Sequence, residues 1–257
     1  MMQYWGNSFN FPTPASNLWT PAGGSLWLDM FSSANYTDVG GFASQVNDLT
    51  GNSRNAIQGT AANRAAIVTA SGYTALRFDG TNDEMIINSQ FFPSGAATSA
   101  SYIIAAVAKV NTNKFGGIIT TNPSGTNSGC GLLLDNVGKF VNNFSGGQTV
   151  STTVGSARNI IVAVVNAGVR TIWINGTQEG SATASSGNIT QSTRVVIGKY
   201  RDETGNNGAF DLEALSVFVG TASTTIRQNL EGFFANNRGL TGGLPAGHPW
   251  KSTPPTL

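Results

Sequence analysis

Short apolar runs and alternating apolar and polar residues follow one another from Leu26 to Val219, separated by Gly, Asn and Ser. Alternation with period two is typical of a strand with one buried face, and a short continuous apolar run is typical of a strand buried on both faces. Many such strands joined by short turns predict an all-β fold, a two-sheet antiparallel sandwich. The predicted strands are Leu26–Met30, Ala75–Asp79, Glu84–Ile87, Tyr102–Val110, Gly117–Thr121, Gly131–Leu134, Lys139–Phe144, Asn159–Asn166, Thr171–Asn175, Arg194–Gly198 and Phe210–Val219.

Two features refine this pattern. The runs SYIIAAVAK (101–109) and NIIVAVV (159–165) are almost entirely apolar, so they should be central strands buried on both faces. In ALRFDGTND (75–83), Asp79 and Gly80 stand between two apolar runs. Asp-Gly in this position predicts a hairpin, because the turn needs a positive φ that Gly adopts without steric conflict. Asn175 and Gly176 give a second turn signal of the same kind.

The segment STTIRQNLEGFFANNRGL (223–240) has a different period and predicts the one helix, over residues 223–237. Its large apolar residues recur at i, i+4, i+7 and i+8, which places them on one helical face. They are Ile226, Leu230, Phe233 and Phe234. Ser223 or Thr224 can cap the start, and Gly239 can end the helix in a left-handed conformation.

The organisation predicted is one domain, residues 25–250, with an extension at each end. Residues 1–24 form an arm rich in aromatic residues and Pro, which either packs on the domain or docks on a neighbouring subunit. Residues 251–257 are a short tail. The first residues lack a basic region followed by a continuous apolar one, so we expect no secretory signal there.

Composition excludes several classes of function. Charged residues make up 11% of the 257 residues, against about 25% in an ordinary soluble domain, and the formal net charge is +1. No basic run is longer than two residues, so we expect no nucleic-acid partner. No apolar stretch approaches the roughly 20 residues of a membrane span, so we expect no membrane insertion.

The chain has a single cysteine, Cys130, and a single histidine, His248. One cysteine excludes an intramolecular disulfide and a cysteine-based zinc site, and we expect Cys130 to be a small buried residue. His248 lies in a Pro-rich segment. We expect it to pack or to form hydrogen bonds rather than to serve as the base of a catalytic triad.

Several motifs occur in an order that resembles a known family. They are LWLDM (26–30), DLTGNSRNA (48–56), ALRFDG (75–80), IWING (172–176), VIG (196–198) and RGLTGGLPAGHPW (238–250). Over residues 24–250 the chain resembles the LamG-like jelly-roll domains of the concanavalin A-like lectin/glucanase superfamily, of the kind found in bacteriophage virion proteins. The fold that this resemblance implies is a two-sheet antiparallel jelly roll with one C-terminal helix.

The resemblance also implies a function. We expect a non-catalytic virion surface protein, such as a capsid decoration, head fibre or tail adhesin, made in the host cytoplasm and carried on the particle. Its partners would be other virion proteins bound through residues 1–24, further copies of the chain in a homo-oligomer, and host-cell glycans. The alternatives are a polysaccharide-degrading glycosidase and an extracellular domain of a bacterial cell-surface adhesin.

The chain departs from the family at FDLEALSVF (210–218). Asp211 matches the acidic position, but Ala214 falls where the family has Glu. Glu213 comes one residue earlier, and a shift of one residue along a strand predicts the opposite face.

Asp211 and Glu213 are the candidates for a catalytic pair. They are two residues apart on a predicted strand, so they would share a face with Cα atoms about 6.5–7 Å apart, and a glycosidase needs two carboxylates. The sequence lacks the E-x-D-x-x-E strand of the jelly-roll glucanases. The simpler interpretation is structural, one carboxylate being buried and satisfied and the other solvated.

Two loops could bind ligands. Asp79, Asn82 and Asp83 offer three oxygen-bearing side chains in five residues, which suits Ca²⁺, although a turn-forming role explains them as well. The loop YRDETGNNG places an aromatic residue beside polar ones, as a sugar site requires. Its candidate ligand-binding residues are Tyr200, Arg201, Asp202 and Asn206. Trp173 lies between two isoleucines, so we expect it to pack in the core.

Overall fold

A computed structural model describes residues 26–70, 72–121, 129–144, 147–184, 188–189, 194–200, 205–220 and 222–255. Within them the chain forms two large antiparallel sheets, one helix and a two-stranded ribbon. Sheet A contains β1 (Leu26–Asp29), β5 (Ala66–Ala70), β6 (Tyr73–Asp79), β9 (Tyr102–Thr112), β14 (Asn159–Asn166), β15 (Val169–Ile174), β16 (Thr177–Ala184) and β19 (Ala209–Val219). Sheet B contains β2 (Tyr36–Asp38), β3 (Ala43–Val46), β4 (Ala56–Ile57), β7 (Met85–Ile87), β10 (Gly116–Thr121), β11 (Cys130–Leu134), β12 (Lys139–Phe144), β13 (Gly147–Val154) and β18 (Val195–Ile197).

The strand order is β16-β15-β14-β9-β19-β6-β5 in sheet A, with β1 beside β19, and β13-β12-β11-β10-β18-β7-β4-β3-β2 in sheet B. The ribbon pairs β8 (Gly95–Ala96) with β17 (Asn188–Ile189). Short 3-10 helices occur at Ser33–Asn35, Ala61–Asn63, Ala97–Ser99 and Thr241–Gly243. The predicted two-sheet antiparallel sandwich is confirmed.

The main core fills the space between the two sheets. Alternate residues of β9 point into it, starting at Tyr102, and the rings of Phe78 and Phe210 stack there at 4.8 Å. Tyr102 meets Phe144 of sheet B edge to face at 5.7 Å. Every one of these rings is fully buried, so each removes a large apolar area from water.

The helix α1 (Thr224–Asn237) covers one half of the outer face of sheet A. Leu230 and Phe234 pack on the other set of alternate β9 residues, among them Ile103 and Val107. The side chain of Ser223 accepts a hydrogen bond from the Ile226 amide, as the predicted cap requires. Because β9 has the core on one face and the helix on the other, its prediction as a strand buried on both faces is confirmed. Among the described residues no helix is long and apolar enough to cross a membrane.

The prediction of a hairpin at Asp79 and Gly80 is wrong. β6 pairs with β5 and β19 in sheet A, whereas β7 pairs with β4 and β18 in sheet B, so the turn carries the chain from one sheet to the other. Gly80 has the expected positive φ of 78°. The Asp-Gly dipeptide determines the conformation of this turn, but it does not determine which sheet the following strand joins. By contrast, Asn175 and Gly176 have φ of 49° and 80° and join β15 to β16 in a true hairpin.

Candidate functional site

Asp211 and Glu213 both lie on the outer face of sheet A, beyond the area that α1 covers. A β-bulge interrupts the β19–β9 register between Leu212 and Ala214. Leu212 and Leu215 point into the main core, while Ala214 packs under α1. The extra residue therefore places Glu213 and Ala214 on the same side. The prediction that Asp211 and Glu213 share a face is confirmed, and the prediction that Glu213 faces opposite to position 214 is wrong.

Asp211 is held by groups from two neighbouring strands. Arg77 of β6 binds it in bidentate fashion, with Nε to Oδ1 and Nη2 to Oδ2 both at 2.8 Å. Asn111 of β9 donates from Nδ2 to Oδ1 at 2.6 Å, and the Tyr73 hydroxyl lies 3.5 Å from Oδ2. The Asp211 side chain is 1% exposed while that of Arg77 is 45% exposed, so the pair joins a buried anion to a surface cation.

Glu213 has an arginine of its own. Arg158, which precedes β14, donates from Nε to Oε1 and from Nη2 to Oε2, both at 2.6 Å. Its Nη2 also donates to the Arg238 carbonyl at the end of α1, at 3.2 Å. Arg238 in turn forms an ion pair with Asp29 of β1 at 2.5 Å. These contacts tie the bulge of β19 to the end of the helix.

Tyr73 lies between the two ion pairs. Its hydroxyl is near Asp211, and the Arg158 guanidinium stacks over its ring with 4.5 Å between the guanidinium carbon and the ring centroid. Burial raises the pKa of Tyr73, the charges of Asp211 and Glu213 raise it further, and those of Arg158 and Arg77 partly offset the increase. Tyr73 is therefore a neutral phenol.

This arrangement does not suit hydrolysis. A glycosidase needs one carboxyl to donate a proton and a second carboxylate, or a tyrosine in sialidases, to attack the sugar. Here a guanidinium binds both oxygens of each carboxylate, and the environment of Tyr73 disfavours the phenolate. The geometry is that of two structural ion pairs.

The predicted ligand loop is partly described. A bridge between Lys199 and Asn207 brings its two arms together, and the Tyr200 amide donates to the Asn206 carbonyl at 2.8 Å. Arg201 and Asp202 lie outside the described residues. The structure thus places Tyr200 and Asn206 side by side at the end of sheet B.

Phe115, which was not among the predicted ligand-binding residues, lies beside Tyr200 at this end of sheet B. Its ring meets that of Tyr200 at 5.0 Å and 73°, and both rings are half-buried. The approach depends on two glycines, because a Cβ on Gly116 would lie 2.1 Å from the Gly208 amide nitrogen. The aromatic residue directly before Gly116-Gly117 is the sequence signal that could have identified it. We call Phe115, Tyr200 and Asn206 the aromatic site.

Asp79, Asn82 and Asp83 act together in the turn between the sheets. Asp83 Oδ2 accepts from the Asp79 amide at 2.9 Å, Asp79 Oδ1 accepts from the Thr81 amide at 2.7 Å, and Asn82 Nδ2 donates to the Ala62 carbonyl at 2.6 Å. The described residues contain no group of three or more His, Cys, Asp or Glu placed to hold a metal ion. Calcium binding stays a prediction, and the contacts give these side chains a turn-forming role.

Asp83 is the titratable group of this turn. Burial raises its pKa to about 6, the hydrogen bond from the Asp79 amide opposes that rise, and the Asp79 charge adds to it. The loop is therefore a place where protonation near pH 6 changes a charge inside the fold.

His248 and Trp173 have packing roles, as predicted. His248 Nε2 lies 3.1 Å from Glu231 Oε2, which also accepts from Arg227 Nη1 at 2.5 Å. The Arg227 guanidinium stacks 3.5 Å above the Trp173 ring. These contacts fasten α1 and the C-terminal segment to sheet A. Cys130 is buried as expected, and burial raises its thiol pKa to about 12 against a lowering hydrogen bond from Tyr102.

No protein-family model and no curated protein sequence matches this chain. Solved structures match it in fold. The binding domain of Paraclostridial Mosquitocidal Protein 1 superposes with a TM-score of 0.54 at 14% identity, over 83% of this chain and 52% of that one. Trypanosoma rangeli sialidase in complex with sialic acid gives a TM-score of 0.56 at 12% identity, over 85% of this chain and 34% of that one.

The botulinum neurotoxin serotype D ligand binding domain in complex with N-acetylneuraminic acid gives a TM-score of 0.53 at 16% identity, over 80% of this chain and 50% of that one. This chain thus spans about half or a third of the length of the structures it matches. At these identities the likeness is one of fold alone, a two-sheet β-sandwich.

Proposed function

We propose that the protein is a non-catalytic, glycan-binding surface protein of a bacteriophage particle. The observation that carries the glycan-binding part is the aromatic site. Two half-buried rings, Phe115 and Tyr200, meet edge to face beside the Asn206 backbone at an end of the sandwich. A sugar ring packs its apolar face on an aromatic side chain while amide groups bind its hydroxyls. The fold neighbours whose names describe binding domains support this proposal.

The two ion pairs support the non-catalytic part of the proposal. Both oxygens of Asp211 and of Glu213 are bound by guanidinium groups, so neither carboxylate is available to a glycosidic oxygen or to a water. Reducing-end assays on β-glucans and capsular polysaccharides test it. We expect no new reducing ends, whereas their appearance with the wild type and loss in Asp211→Asn would establish a glycosidase.

Binding itself is tested by screening the full chain on a glycan array and titrating the best ligand by calorimetry. Tyr200→Ala should weaken binding about three- to tenfold, the contribution of one aromatic contact. Phe42→Ala is the matched control, because Phe42 is another accessible aromatic residue, 46% exposed, on a different edge of the molecule. Equal affinities of wild type and Tyr200→Ala would place the ligand elsewhere, and an array without any binding would leave a purely structural role.

The assignment to a phage particle rests on the resemblance to virion jelly rolls, on the low content of charged residues and on the aromatic, Pro-rich residues 1–24. A capsid decoration, head fibre or tail adhesin should be found on purified phage particles by antibody labelling. Removal of residues 1–24 should abolish attachment or homo-oligomerisation, and a truncated protein that assembles normally would contradict the role of the arm.

A further inference from the structure

On the outer face of sheet A, Lys109 is a cation that has no counter-ion among the described residues. It lies on β9 in register with Asp211 of β19 and on the same face, because Val107 before it packs under α1. The Asp211 carboxylate, however, accepts its hydrogen bonds from Arg77 and Asn111. Among the described residues no carboxylate oxygen lies within 4.0 Å of the Lys109 ammonium, and none accepts a hydrogen bond from it. Lys109 as a residue is half-buried.

Arg158 and Arg77 lie on either side of Lys109 in the strand register, and buried carboxylates already hold their guanidinium groups in position. Arg158 comes one residue before Asn159, which pairs with Ala108, so it lies across from Lys109 on the neighbouring strand. Arg77 lies on the other side, beyond Asp211. Each arginine uses Nε and Nη2 for its own carboxylate, and neither Nη1 has a hydrogen-bond partner among the described residues.

The balance of charge across this strip is positive. Arg77, Lys109 and Arg158 face two carboxylates, Asp211 and Glu213, which leaves one positive charge. The borders of the strip are close to neutral. At one end Arg238 pairs with Asp29, and at the other the Lys114 ammonium donates to the Gly80 carbonyl.

We propose that Arg77, Lys109 and Arg158 bind the carboxylate of an acidic sugar. This inference rests on the proposed function and adds a second site, on the face of sheet A, to the aromatic site at the end of sheet B. A carboxylate accepts hydrogen bonds from several donors at once, and charge-assisted bonds are the strong ones. Because the buried carboxylates fix both guanidinium groups in advance, the ligand orders only the Lys109 side chain on binding.

An acidic glycan suits this strip better than nucleic acid does. Nucleic acid presents a phosphate about every 1.7 Å of duplex axis and binds through many cations spread along a groove. The strip offers one uncompensated charge with fixed donors around it, which matches one acid group per sugar residue. Oligogalacturonate is therefore the probe, and a DNA duplex of equal charge is the competing polyanion.

The experiment is calorimetric titration of the full chain with oligogalacturonate and with its methyl ester, which keeps the sugar and removes the charge. We expect the acid to bind and the ester to bind at least about tenfold more weakly. Raising the salt concentration from about 20 to about 200 mM should weaken the binding of the acid but not that of the ester. Lys109→Met should lower affinity for the acid about tenfold, the size of one charge-assisted hydrogen bond. Lys109→Arg, which keeps the charge, should restore most of it.

Lys139→Met is the matched control, because Lys139 is a half-buried strand lysine on sheet B. Tyr200→Ala separates the two proposals, since it should weaken array ligands of the aromatic site and leave oligogalacturonate unchanged. Three results would overturn the site on sheet A while the proposed function stands. They are equal affinities for acid and ester, no binding of the acid, and an affinity for the acid that Lys109→Met leaves unchanged. Tighter, Lys109-dependent binding of DNA would also overturn it, in favour of a nucleic-acid contact.

Discussion

Arg158 binds both oxygens of the Glu213 carboxylate at 2.6 Å and donates a further hydrogen bond to the carbonyl of Arg238, the residue that caps the C-terminus of α1. The bulge in β19 follows Glu213 directly, and its extra residue places Ala214 on the same outer face, under α1. The contact gives Glu213 a structural role. It joins the sheet to the helix at the border of the charged strip.

Removing the cation of this pair should destabilise the fold. Arg158→Met leaves Glu213, which is 2% exposed, without its partner, so we expect the free energy of unfolding to fall by about 2–3 kcal/mol. The double variant Arg158→Met/Glu213→Met should be more stable than the single one, since no buried charge remains. Urea unfolding followed by tryptophan fluorescence measures both, with Lys139→Met as control. A single variant as stable as the wild type would show that water reaches Glu213 freely.

Asp83 should make the protein less stable as the pH rises from about 4 to 6. The folded state raises the pKa of this acid to about 6, so its protonated form is favoured in the fold. The stabilisation is fully present below the unfolded pKa near 4, is lost as the pH passes through 6, and amounts to about 3 kcal/mol.

Asp83→Asn isolates this effect. It keeps an oxygen to accept the hydrogen bond from the Asp79 amide and removes the charge, so it should be more stable than the wild type at pH 7 and equal to it near pH 4. Asp38→Asn is the matched control, because Asp38 also accepts from one backbone amide but is exposed. Urea unfolding at pH 4 to 7.5 measures the difference. A constant difference between wild type and Asp83→Asn across that range would rule out the effect.

Gly232→Ala should destabilise the protein although alanine favours helices by about 1 kcal/mol. A Cβ at this position would lie 2.3 Å from the Trp250 Cβ and 2.6 Å from its ring, so the C-terminal segment would have to move away from α1. We expect a net loss of about 1–2 kcal/mol. Gly242→Ala is the control, because nothing lies within 4 Å of its added Cβ. Stabilisation by Gly232→Ala would mean that Trp250 is loosely held.

Much of the fold was predictable because long apolar runs carry a strong local signal. The predicted ends of four elements, β9, β12, β14 and α1, lie within about two residues of the observed ones. In these elements the spacing of the apolar residues indicates which side chains are buried. The strands that were missed, such as β3 and β16, are short or polar. Their pairing depends on neighbours rather than on their own residues.

The site was less predictable because its decisive partners are distant in sequence. The shared face of Asp211 and Glu213 follows from the strand period, but Arg77 lies 134 residues from Asp211 and Arg158 lies 55 residues from Glu213. The bulge itself has no local signal that the alternation reveals. Phe115 joins Tyr200 only because two glycines let the backbones approach, and that is a property of the assembled sandwich.

Capture of a polysaccharide, followed by measurement of its length, tests the central claim that this is a binding protein and not a hydrolase. A bacterial surface polysaccharide that the array identifies would be passed over immobilised protein, eluted and sized by chromatography. We predict that the wild type retains it with its length unchanged and that Tyr200→Ala retains less. A shortened polysaccharide, or equal retention by Tyr200→Ala, would contradict the account.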